Sequence, residues 1–151
     1  MLKMRNANIK DIETYFNWAN EDSVRKLSFN SEKIPFSEHE VWFNNCLIDK
    51  NCFMYLFFIT AEIGQVRIQK LEAEEFIISI SIDEKYRGKG YGVQMLKMSI
   101  ESFRIFSPKS AINAYIKIEN VVSKNIFEKS GFKYKGELIY KNVKSYHYIN
   151  I

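Results

Sequence analysis

The stretch Asp83-Glu84-Lys85-Tyr86-Arg87-Gly88-Lys89-Gly90-Tyr91-Gly92 restricts what this chain can fold into more than any other. Ahead of it, Phe76, Ile78, Ile80 and Ile82 alternate with Ile77, Ser79 and Ser81, the two-residue period of a strand. Behind it, Val93, Leu96, Ile100 and Phe103 recur at helical spacing. The unit is therefore strand, glycine-rich turn, helix. Gly88, Gly90 and Gly92, at alternate positions, let the backbone turn tightly and approach a ligand closely. The first N–H groups of the following helix have no partner within it, and the helix dipole favours an anion there. Arg87 and Lys89 add positive charge at the same place. The turn reads as a cradle for a phosphate or pyrophosphate.

Spacing excludes two widespread phosphate motifs. G-x-x-x-x-G-K-[ST] is absent, and Val93 stands where a dinucleotide fingerprint needs its third glycine. The pattern that fits is R-x-x-G-x-G, on Arg87, Gly90 and Gly92. It resembles the acetyl-coenzyme A signature of the GNAT acetyltransferases. Further on, Asn120-Val121-Val122-Ser123-Lys124-Asn125-Ile126-Phe127-Glu128-Lys129-Ser130-Gly131-Phe132 resembles that family's N-x-x-S/A-x-x-x-Y/L-E-K-x-G-F segment. The two motifs stand in the family's order and spacing, over roughly the last half of the chain.

Other elements follow from pattern. A short strand is expected at Leu2–Asn6. Asn8 and Asp11 read as a helix N-cap pair, with Ile9, Ile12, Phe16 and Ala19 on the apolar face behind them. Asn20-Glu21-Asp22 breaks that helix, and a short helix or turn holds Val24 and Leu27. A loop runs from Ser28 to Pro35, and Ser37 with Glu40 reads as the capping box of a further helix to about Asp49. Strands are expected at Cys52–Thr60 and Gln65–Leu71, joined by a turn at Ala61–Gly64. After the glycine loop a long helix runs to about Phe106, then a strand at Ala111–Ile118. A helix capped by Asn120 ends at Gly131, and two last strands lie near Phe132–Tyr140 and Lys144–Ile151. The fold class is α+β, with the strands before and after the long helix parallel through a right-handed crossover.

At 151 residues and 46% hydrophobic, one domain spanning 1–151 can bury its own core. The net charge of +4 suits a small anionic ligand, and without a basic stripe it gives no nucleic-acid partner. Apolar runs stay strand-sized, so no membrane partner is expected. Met1 to Arg5 lacks the apolar core of a signal peptide. Cys46 and Cys52 have neither C-x-x-C nor metal spacing. A cytoplasmic location, reduced thiols and no metal follow as expectations, with a monomer or homodimer.

The resemblance implies more. It implies the GNAT fold, a mixed, mostly antiparallel sheet splayed between its fourth and fifth strands, with helices on both faces. The cosubstrate is acetyl-coenzyme A. Its pantetheine arm lies in the splay against Ile80, Ser81 and Ile82, hydrogen-bonded as an extra strand would be. Its diphosphate lies on Arg87, Gly88, Lys89, Gly90, Tyr91 and Gly92, with Asn120, Asn125 and Phe127 also facing the cofactor. An amine attacks directly, while a fourth-strand N–H holds the oxyanion. Phe127 stands where many members carry a tyrosine as acid for the leaving thiolate, and phenylalanine has no proton to give. Ser123, four residues back on the same helix face, is the candidate acid, with Tyr91 and Tyr115 as alternatives.

The first half resembles, through W-x-N, V-R-x-x-S and H-x-x-W-F, the acetyltransferases of pseudaminic acid biosynthesis, which acetylate a UDP-linked 4-amino sugar. The acceptor is then a small amine, a sugar nucleotide. Arg25 would meet its phosphates, Trp42 would stack on the sugar or uracil, and Asn20, Ser28 and Asn30 would bond its hydroxyls. His39 and Glu62 are candidate bases, with Glu84 and His147 behind them. Two alternatives stand beside this: acetylation of protein N-termini or a polyamine, and a non-catalytic acyl-coenzyme A-binding module.

Overall fold

In the computed structural model, which describes all of Met1 to Ile151, period-two alternation becomes one seven-stranded sheet in the order β1-β2-β3-β4-β5-β7-β6. The strands are β1 (Lys3–Asn6), β2 (Cys52–Phe58), β3 (Glu62–Glu72), β4 (Glu75–Ile82), β5 (Ala111–Lys117), β6 (Lys133–Tyr140) and β7 (Val143–Asn150). Every neighbouring pair is antiparallel except β4 and β5. Those two are joined by α4 (Tyr91–Phe106), the crossover that a parallel connection requires. Helices α1 (Ile12–Ala19), α2 (Asp22–Leu27) and α3 (Phe36–Ile48) come before β2, and α5 (Val121–Lys129) follows β5.

Each sheet face has its own core. On one, Val66 and Ile68 of β3, Phe76 and Ile78 of β4, and Ile112, Ala114 and Ile116 of β5 meet Met95, Leu96 and Phe103 of α4. On the other, Met54 and Leu56 of β2 meet Tyr15 and Trp18 of α1 and Phe43 and Cys46 of α3. No helix is long and apolar enough to cross a membrane.

The parallel pair is short. β4 and β5 are in register only at Glu75–Ala111, Phe76–Ile112 and Ile77–Asn113. Beyond Ile77 the strands part, and β5 continues on β7 alone as far as Lys117. The splay is real, and it leaves the edge of β4 from Ile78 to Ile82 without a neighbour on that side.

Three local expectations need correction. The most buried residues of α1 are Tyr15 and Trp18; Ile12 packs half-buried beside them, Phe16 and Ala19 are half-buried, and Ile9 is exposed. A 3-10 turn at Ile9–Asp11 precedes the helix and winds tighter, which rotates the following face. Ser37 caps nothing: Pro35 occupies the N-cap of α3, and its carbonyl accepts the amides of Glu38 and His39 at 3.1 Å each. Ser37 therefore already lies inside the first turn. The same α3 points Val41 and Ile48 at solvent and buries His39, Phe43 and Cys46. The turn after β2 comes earlier than Ala61–Gly64, since Glu62, Ile63 and Gly64 belong to β3. Gly64 is there for close approach: a Cβ would lie 2.5 Å from the Ser81 carbonyl oxygen and 2.9 Å from Met95 Cε.

The cap pair at the start does form. The Asn8 side chain accepts from Lys10 N at 2.9 Å, and Asp11 accepts from Asn8 N at 2.8 Å. Burial pushes the Asp11 carboxyl up, but the two Arg5 hydrogen bonds at 2.8 Å and the Asn8 amide outweigh it and hold it below the usual range.

Candidate active site

Beta strand β4 delivers the chain into the glycine loop at the mouth of the splay. Asp83 fixes the entry. Its carboxylate accepts from Lys85 N at 3.0 Å and from the Trp18 indole at 3.0 Å, tying the loop to α1. Gly88 and Gly90 then take left-handed backbone, φ 74° and 84°, where a Cβ is disfavoured. The amides of Gly88, Lys89 and Gly90 donate to no backbone carbonyl. Gly92 serves packing: its Cβ would lie 2.8 Å from Ile126 Cδ1 and 3.2 Å from Ile82 Cδ1. The missing side chain lets the start of α4 sit directly against β4 and α5.

A cleft of about 600 Å³ opens there. Its walls hold Ile80, Ser81 and Ile82 from β4, Arg87, Gly88, Gly90, Tyr91 and Gly92 from the loop, and Asn120, Ser123 and Asn125 from α5. Asn120 is the N-cap of α5, accepting from Ser123 N at 3.2 Å, so the cap also orients the turn that carries the Ser123 hydroxyl. Thus most residues read as cofactor contacts share one cavity, and Ser123 lies among them.

Two do not. Phe127 is buried on the α4 side, edge-on to Phe132 with centroids 5.0 Å apart, so its ring belongs to the core and not to the cleft. Lys89 lies outside the cleft wall, its Nζ 5.8 Å from the Tyr86 ring. Arg87 lines the cleft but is not a free cation. It donates to the Ile82 carbonyl at 2.9 Å, to Ser23 Oγ at 3.0 Å, and to both Glu21 oxygens at 2.8 and 2.9 Å. The side chain ties the loop to the α1–α2 corner, leaving the anion to the backbone amides.

A second cavity, about 190 Å³, lies on the α1–α3 side of β4. Val24, Ser28, Ile80 and Ser81 line both cavities, so the two adjoin at the splay. Trp18, Trp42, Arg25 and Arg67 also line the second. Tyr15 OH, Gln65 Oε1 and Ser81 Oγ, three buried polar atoms with no partner in the protein, all belong to residues of this wall. Burial pushes the Tyr15 phenol well above its ordinary value, so it stays protonated.

Of the residues read as acceptor contacts, Arg25, Ser28 and Trp42 line this cavity. Arg25, however, is spent on the fold. It donates to the carbonyls of Ala19 (2.6 Å), Asn30 (2.9 Å) and Glu32 (3.2 Å) and to Ser28 Oγ (3.2 Å), leaving no fork for a phosphate. Asn20 exchanges both side-chain hydrogen bonds with Ile34, at 2.9 and 2.7 Å. Asn30 is exposed and accepts from Glu32 N at 3.1 Å. These residues hold the loop 28–35 rather than a ligand.

Neither candidate base reaches the cavities. His39 is 2% exposed and donates its Nε2–H to the Ile12 carbonyl at 2.9 Å, among the rings of Phe16, Trp42 and Phe43. Burial pushes it below its ordinary pKa, so it is a neutral core histidine. Glu62, at the start of β3, lines neither cavity: it meets Arg5 at 3.5 Å and accepts from Thr14 Oγ1 at 3.1 Å. His147 lies on β7, 2.7 Å from Asn113 Oδ1, and stacks on Tyr115, which stacks in turn on Tyr140.

Gln65, Arg67 and Ser79 were not singled out from sequence as site residues. A signal exists: Gln65, Arg67 and Gln69 alternate on a strand with neighbours on both sides, where a polar stripe under helices marks a cavity and not solvent.

Residues 1–133 match the Acetyltransferase (GNAT) domain family. No curated protein matches the sequence. Among solved structures, a spermidine N-acetyltransferase from Vibrio cholerae, in complex with CoA and spermine, is 18% identical with a TM-score of 0.87, covering 99% of this chain and 94% of that one. The aminoglycoside acetyltransferase AAC(6')-Ib, with coenzyme A and kanamycin, is 13% identical with a TM-score of 0.83, covering 99% and 94%. An uncharacterized protein from Bacillus halodurans is 17% identical with a TM-score of 0.81, covering 98% and 82%. At these identities the likeness is one of fold.

Proposed function

The chain belongs to the GNAT acetyltransferase family, and on that footing we propose that it transfers acetyl from acetyl-coenzyme A to the amine of a small sugar acceptor, a UDP-linked 4-amino sugar. The observation that carries the acceptor class is the absence of carboxylates: no Asp or Glu lines either cavity. Nearby acids are already engaged, Glu21 with Arg87, Asp22 with Lys33 and Glu62 with Arg5. Polycations such as spermine or kanamycin would find arginines where they need anions. Hydroxyls, amides and two indoles suit a sugar ring.

The residues divide the work. Free amides of the glycine loop and the start of α4 hold the diphosphate. The open edge of β4 along Ile80–Ile82 pairs with the pantetheine amides and presents an N–H to the thioester oxygen as it gains charge. The amine reaches the carbonyl from the second cavity through the splay, and Ser123 gives a proton to the departing thiolate. No carboxylate or imidazole lines either cavity, so the amine proton leaves through water.

The reading is tested by incubating the protein with acetyl-coenzyme A and a UDP-linked 4-amino sugar, spermidine or kanamycin, following free thiol and product mass. The highest kcat/KM is expected with the nucleotide sugar; a preference for spermidine or kanamycin, or no thiol with any, overturns it.

Arg87 offers a narrower check. Removing a hydrogen bond to a charged group costs about 1.5–3 kcal/mol, but this pair is about one-third exposed on the Arg87 side and is discounted accordingly. Arg87→Ala is expected to raise KM for acetyl-coenzyme A by about fivefold to tenfold with kcat nearly unchanged, because the loop loses its brace while the reacting atoms keep their partners. Steady-state kinetics with the cosubstrate varied reads this directly.

A further inference from the structure

We propose that the second cavity seats an oxyanion group of the acceptor, a carboxylate or a phosphate, on the Arg67 guanidinium with the hydroxyls of Tyr15 and Ser81. The proposal deepens the acceptor reading above and rests on it only in taking this cavity as the acceptor's.

Arg67 lies in the middle of β3, opposite Met54 of β2 and Ser79 of β4, so backbone on both sides fixes its origin. Its guanidinium rests 4.9 Å from the centre of the Trp42 ring, which orients the plane but satisfies none of its five N–H donors. It is in none of the chain's ion pairs. Arg25, the other arginine of this wall, spends its donors on backbone carbonyls, so Arg67 is the cation left to a ligand.

Tyr15 is a second and independent pointer. It is 3% exposed, its hydroxyl has no partner, and burial keeps it protonated. Ser81 Oγ is likewise buried and unpaired, on the strand that both cavities share. Folding leaves such groups unpaired at a cost in stability unless something else meets them. A guanidinium can only donate, and these hydroxyls are free to donate. No carboxylate of the protein lines the cavity to meet them. The complementary group is an oxyanion, for which a guanidinium fork is suited in both carboxylate and phosphate form. Gln65 Oε1, unpaired in the same wall, is left to accept from an N–H or O–H of the same molecule. At about 190 Å³ the cavity holds about six waters' worth of space, enough for an oxyanion on a short carbon frame and too little for a whole nucleotide.

The test uses the full chain saturated with coenzyme A, so that a diphosphate cannot enter the glycine loop. Tryptophan fluorescence follows titration with uridine diphosphate, with glucuronate and with spermidine as the cationic control, because Trp18 and Trp42 both line the cavity. Saturable binding of an anionic probe is expected. Arg67→Gln should weaken it about tenfold or more, Arg67→Lys less, and Tyr15→Phe, which keeps the ring, should weaken it about threefold to tenfold. Coenzyme A affinity should not move in any variant. Binding of uridine diphosphate alone assigns the seat to phosphate, glucuronate alone to carboxylate, and both to the shared group. No saturable change with either anion, or equal affinity in wild type and Arg67→Gln, overturns the proposal. Anion binding that persists while no amine is acetylated counts against the acetylation reading and leaves the seat standing.

Discussion

Replacing Ser123 with alanine is expected to lower kcat by about a hundredfold, with KM for acetyl-coenzyme A within about twofold. General acid help ranges upward from that figure, and a thiolate needs the least of it. Its conjugate acid titrates at about 8.5, close to neutrality, so the leaving group is already tolerable. The substitution is clean. Asn120 Oδ1 bonds the Ser123 backbone N–H, not the hydroxyl, so the cap of α5 survives. Single-turnover kinetics at several pH values checks it: the deficit should shrink as pH rises, because thiolate departure then needs no donated proton. A wild-type rate in Ser123→Ala would leave the hydroxyl as a small group that merely admits the cofactor.

The second large effect is on the fold. Phe103→Ala is expected to cost about 3–5 kcal/mol, a large part of the roughly 5–15 kcal/mol by which such domains are stable. Phe103 is fully buried, with Phe76 at 4.8 Å and Phe53 at 5.2 Å between centroids, both edge-on, and Phe106 at 6.3 Å. No neighbour is free to collapse into the void, since Phe76 is held in β4 and Phe53 in β2. Phe76 is also the middle residue of the three that join β4 to β5. The cavity would open directly under the closed end of the splay. A urea midpoint shifted down at unchanged slope is the expected result; a loss under about 1 kcal/mol would mean that neighbouring side chains fill the void.

Much of this was legible in the chain, for physical reasons. The alternation through Phe76–Ile82 and the helical spacing from Val93 are consequences of burial on one face, and burial is what a strand or helix keeps. The glycine loop is legible because Gly88 and Gly90 take backbone that other residues avoid. The failures share another cause. Arg25, Asn20 and His39 carry the right chemistry, but hydrogen-bond capacity is finite, and the fold spends theirs on Ala19, Ile34 and Ile12. Sequence lists donors; only geometry says which are already taken. Arg67 is the converse. It reads as one more charge on a strand, and its interest lies wholly in what it does not touch. Phe127 shows a further limit: its place in the motif does not say which way the ring points, and it packs in the core against Phe132.

The three-residue joint between β4 and β5 makes the splay a lever with a short fulcrum. From Ile78 to Ile82 the free arm is about 16 Å long at a strand's rise per residue. Tilting one arm by about 5° therefore moves its tip by about 1.4 Å, close to the length of one carbon–carbon bond. The width of the gap between the arms is thus tied to how Phe76, Ile112 and Phe103 pack together at its closed end.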